Sequence, residues 1–87
     1  MMRALFIGGP VDNSELDLDG NEPPRHYPAN TGSGQPRYRL HHVGLRDGEP
    51  VYAVYGAPEL ADDAVQDTAD EREYARRFKA TPLLVDA

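Results

Sequence analysis

The sequence predicts an α+β domain: a small, mainly antiparallel sheet of three to four strands packed by one or two C-terminal helices. Three observations carry this expectation. Unbroken apolar runs at 4–7 (ALFI) and 51–55 (VYAVY) have the length and residue types of buried strands. Asp47-Gly48, a favoured pair for a two-residue turn, separates two β-rich runs. From residue 57 onward the apolar spacing changes from two to three and four.

The first strand spans about 3–8 and ends at Gly8-Gly9. Residues 14–18 (SELDL) then alternate, with Leu16 and Leu18 on one face and Glu15 and Asp17 on the other. The intervening GGPVDN supplies the residues that accept positive φ or preset a turn, so the two runs read as a hairpin. A glycine pair after an apolar strand also raises the question of a phosphate loop. That reading fails because Pro10 removes one N–H, a strand follows where a helix N-terminus is needed, and neither nucleotide-loop spacing occurs.

Residues 19–36 are rich in Pro, Gly, Asn and Ser, lack any period, and read as a long flexible loop carrying Arg25, His26 and Tyr27. A second hairpin follows. Its turn at Asp47-Gly48 pairs residue i with residue 95 − i, which groups Tyr38, Leu40 and His42 with Val51, Ala53 and Tyr55. Arg39, His41 and Val43 then share the other face with Tyr52 and Val54. The two unbroken apolar runs are the expected central strands. In the helical segment, Pro58 suits the first helical position, and Leu60, Ala64, Val65, Thr68, Ala75 and Phe78 form the apolar stripe. Thr68 with Glu71 matches a capping box, which predicts a break near Asp67. All six charges in 59–71 are acidic and four of five in 72–79 are basic, an order that complements the helix dipole. The tail TPLLVDA reads as an edge strand or as a cover over the sheet.

Composition narrows the function classes. The 87 residues make one domain, residues 1–87, which buries roughly 60–65% of its unfolded surface. That leaves little room for an enclosed substrate cavity. There is no cysteine, which points to the cytoplasm, and the apolar run at the N-terminus is too short to span a membrane. Fifteen acidic and nine basic residues give a net charge of −6, which disfavours direct nucleic-acid binding.

No spacing supports catalysis, a cofactor or a metal. Ser14 and Ser33 lie outside any nucleophile motif. His41 and His42, as neighbours in a strand, are expected on opposite faces and so unable to share a metal. The candidate site residues are therefore protein-binding ones: Arg25, Tyr27, Tyr38, Arg39, Tyr52 and Tyr55. Tyr and Arg are the types that carry interfaces. One helical layer covers only one side of a small sheet, so the other side must be covered by the loop, the tail or another chain.

The stretch ALFIGGPVD (residues 4–12), the Tyr38-Arg39 strand and the apolar strand at 51–55 resemble small uncharacterised proteins of phages and prophages. Asn13 stands where Gly is usual in them, and the resemblance covers about half the chain. It implies a phage or prophage origin, which would make the cytoplasm that of a host cell, and brings no activity with it. The expected function is non-enzymatic protein binding, possible targets including a host or defence factor. The alternative is a self-associating virion or assembly component, and a small metal-assisted hydrolase is a third class.

Overall fold

The computed structural model describes residues 2–20, 22–27 and 37–85. Its strands are β1 (Met2–Ile7), β2 (Glu15–Leu18), β3 (His26–Tyr27), β4 (Tyr38–Arg46), β5 (Glu49–Gly56) and β6 (Thr81–Leu84), with helices α1 (Asp62–Glu71) and α2 (Tyr74–Phe78) before the last strand. The α+β class is as expected, but the sheet has six strands and is mixed. Strand order is β2-β1-β5-β4, and the outer edge of β4 is shared end to end. β3 takes residues Tyr38 and Arg39, and β6 takes His42 to Leu45. The apolar runs are the central strands, yet β1 and β5 lie side by side in parallel, with Ala4 opposite Ala53 and Phe6 opposite Tyr55. Each hairpin is antiparallel within itself. The parallel seam arises where the two hairpins meet.

The turns follow their chemistry. Gly8, Gly9 and Asn13 have φ of 80°, 67° and 65°. The Gly8 N–H donates to the Asp12 carboxylate at 2.7 Å, and the Val11 N–H donates to the Tyr38 hydroxyl at 3.1 Å. Asp47 and Gly48 have φ of 55° and 81°, as their turn requires.

The second hairpin departs from simple alternation twice. Arg46 faces Glu49 and Leu45 faces Pro50, but Gly44 faces Tyr52, so Val51 is an extra residue on β5. The register returns when Leu40 faces Tyr55, which leaves His41 as an extra residue on β4. Between these bulges the faces exchange. His42, expected with Ala53 and Tyr55, lies beside Val54 and Tyr52 instead, and Val43 takes its place next to Ala53.

The helices cover one face of the sheet. There Leu5, Ile7, Tyr52 and Val54 pack on Val65, Ala69 and Tyr74. The opposite face is apolar too. Phe6 stacks on Tyr55 at 5.5 Å and meets Tyr38 edge-on at 5.2 Å. Much of its cover comes from the chain itself: Tyr27 sits 5.4 Å from Phe6, and the Tyr55 hydroxyl donates to the Pro24 carbonyl at 2.7 Å. Part of the expected loop thus forms β3 and returns across the sheet. The rest of it, residues 21 and 28–36, lies outside the described residues.

The helix reading needs three corrections. α1 starts at Asp62, four positions after Pro58, with no side-chain cap at Ala61. The break falls at Glu73, which is left-handed at φ 56°, and not near Asp67. The Thr68 hydroxyl donates to the Ala64 carbonyl within the helix, so it does not cap a second one. Arg77 is committed to Glu15 on β2 through two 2.7 Å bonds, which ties α2 to the sheet edge.

Candidate functional site

A groove of about 580 Å³ opens where the sheet edge meets the start of α1. β3 and the residue before it contribute His26 and Arg25, and β4 contributes Arg39 and His41. Asp62, Asp63 and Gln66 line the α1 side, and Leu84 and Val85 close the end at β6. Arg39 is held by Asp62 at 2.8 Å and by the Leu60 carbonyl at 2.8 Å, so it pins the helix start to the sheet. The lining charges, two Arg and two Asp, balance.

The bulge on β4 brings together what alternation would separate. His41 and His42, expected on opposite faces, meet with Nδ1 atoms 2.7 Å apart and rings crossed at 80°. One nitrogen donates and the other accepts. Burial pushes both imidazoles below their ordinary range. His42 falls to about 4, with the neighbouring His41 adding to the effect, while Asp62 opposes the shift at His41. Among the described residues, no group of three or more His, Asp or Glu is placed to hold a metal.

The six residues expected to bind a partner divide into two sets. Arg25 and Arg39 line the groove. Tyr52 and Tyr55 are 0% exposed, Tyr38 is buried and Tyr27 is half-buried, so the tyrosines build the core and present little to a partner. Burial pushes the Tyr55 phenol up to about 12. The Tyr52 hydroxyl is buried with no hydrogen-bond partner. Removing it in Tyr52→Phe leaves stability unchanged or raises it by up to about 1 kcal/mol, measured by urea unfolding.

No protein-family model, curated protein or solved structure significantly matches this chain. Its surface is therefore read from its own chemistry. Among the described residues no helix is long and apolar enough to cross a membrane.

The exposed apolar surface concentrates at β6, which the sequence placed either at the edge or over the sheet. Leu83 and Leu84 are 54% and 66% exposed. The Val85 N–H donates to the His41 carbonyl, so by alternation residues 83 and 81 also turn their backbone groups toward β4. Leu84 and Pro82 turn theirs outward, and Pro82 has no N–H to give. The edge is blunted against strand addition while its leucines stay available. The adjacent Leu-Leu after a proline was the sequence signal for this feature.

Proposed function

We propose that this chain is a non-enzymatic, phage-type accessory protein that binds another protein through β6 and the groove beside it. The observation that carries the reading is the exposure of both Leu83 and Leu84, one on each face of an edge strand that Pro82 blunts against pairing, with Leu84 lining the groove. Side-chain packing is then the mode of contact, with Arg25 and Arg39 lining the flank of the groove. The resemblance at residues 4–12 implies a phage or prophage origin, and a host or defence factor in the host cytoplasm is the target that fits such an origin. The opposite sheet face no longer argues for a partner, because Tyr27 and Pro24 lie against its aromatic centre.

Replacing both leucines, Leu83→Asp with Leu84→Asp, tests the reading. Each side chain is mostly in solvent, so the two changes together cost no more than about 1 kcal/mol of stability. Capture of a specific host protein by the tagged chain is lost in the double variant but kept in a Glu59→Gln control. Undiminished capture by the double variant defeats the proposal. The same exposed pair also fits a self-associating assembly component. Light scattering separates the two: a stable oligomer dispersed by the double variant favours self-association.

A further inference from the structure

We propose that the His41–His42 pair is an acid-operated latch: one proton between the rings holds the β4 bulge against α1, and a second proton drives the rings apart and opens the groove. The argument starts from the 2.7 Å contact between two Nδ1 atoms, which has room for one hydrogen. In the neutral pair one ring donates and the other accepts. A first added proton preserves this arrangement if it goes to His41, whose Nδ1–H then donates to His42 with the help of charge.

The surroundings assign that order. His41 lines the groove with Arg25 and His26 from the β3 side, Arg39 from β4, and Asp62 and Asp63 from α1. Asp62 favours a cation on His41, while Arg39 opposes it. His42 is 1% exposed and crosses the Tyr52 ring at 6.1 Å, and Asp70 of α1 favours a cation on it. Leu84 and Val85 close the remaining side without a titratable group.

A second proton on His42 sets two N–H groups head to head between two cations. The contact cannot survive this, and His41, which borders the groove and already bonds the Asp62 backbone, is the ring with space to move away, toward the groove. The His41 carbonyl also accepts the Val85 N–H, so its movement loosens the end of β6. The latch is independent of which protein docks.

Histidine NMR on the full chain, titrated from pH 7 to pH 3.5, is the test, with amide exchange read in parallel. His41 is expected to titrate before His42, and His42 at least tenfold in proton concentration beyond an unperturbed imidazole. As His42 titrates, protection of the Val85 amide falls at least tenfold while that of Val54 holds. His41→Asn removes the opposing cation and abolishes this selective loss; should that variant not fold, His42→Leu is read in the same way. Both rings titrating together as unperturbed imidazoles would overturn the latch. So would Val85 and Val54 losing protection in step, or the selective loss persisting in the variant.

Discussion

Gly44→Ala lowers the stability of this protein by about 3 kcal/mol or more. Gly44 faces Tyr52 across the β4–β5 ladder, and the Tyr52 ring lies over it so closely that a Cβ would sit among the ring atoms. The ring has nowhere to retreat. Tyr52 is 0% exposed, with Phe78 at 5.1 Å, Tyr74 at 6.2 Å and His42 at 6.1 Å. Overpacking a filled core costs roughly 1–3 kcal/mol, and more where the neighbours are rigid rings. The backbone of Gly44 itself is ordinary, so the cost is one of space and not of φ. Gly48→Ala makes the contrast. Its position is open but has a φ of 81°, and its cost is a backbone one of about 1 kcal/mol. Urea unfolding of the two variants checks both values. A Gly44→Ala midpoint equal to that of the parent would remove the Tyr52 packing argument.

Acidification from pH 6.5 to pH 4 removes about 3 kcal/mol of stability through His42. The unfolded imidazole takes up its proton near 6.5, whereas the folded one resists until about 4. Between these values the unfolded chain binds more protons, so stability is complete above pH 6.5 and declines as the pH falls. His41, lowered in the same direction, adds to the slope. Below this window the loss continues through two carboxyls. The Gly8 amide and Arg72 hold Asp12 below its usual range, and Arg77 does the same for Glu15. Their contribution is present above the unfolded carboxyl values and lost below them. In His42→Leu, chemical unfolding at a series of pH values gives a profile flattened between 4 and 6.5. A wild-type profile already flat there would show that His42 is not buried as a neutral ring.

Much of the local structure was legible because it rests on neighbours in sequence. Gly8-Gly9 and Asn13 marked one turn, Asp47-Gly48 marked another, and the alternation of residues 15–18 marked a half-buried strand. The groove was legible only in part. Arg25 and Arg39 stood out as interface types, but nothing local showed that Asp62 would pair with Arg39 or that Leu84 would close the groove. The tyrosines misled for the opposite reason. Residue type suits an interface and a core equally, and burial depends on what packs above.

By itself the sequence determined the class, the central place of the two unbroken apolar strands, the positive-φ turns and the helical C-terminal segment, since each depends on side-chain period or backbone preference within a few residues. Only the tertiary structure decided that those central strands run parallel, that residues 22–27 shield the aromatic face, and that two bulges turn His42 toward the helices and onto His41. A strand apolar on both faces suits either direction and either neighbour. The choice rests on contacts between segments far apart in the chain, where no local pattern reaches.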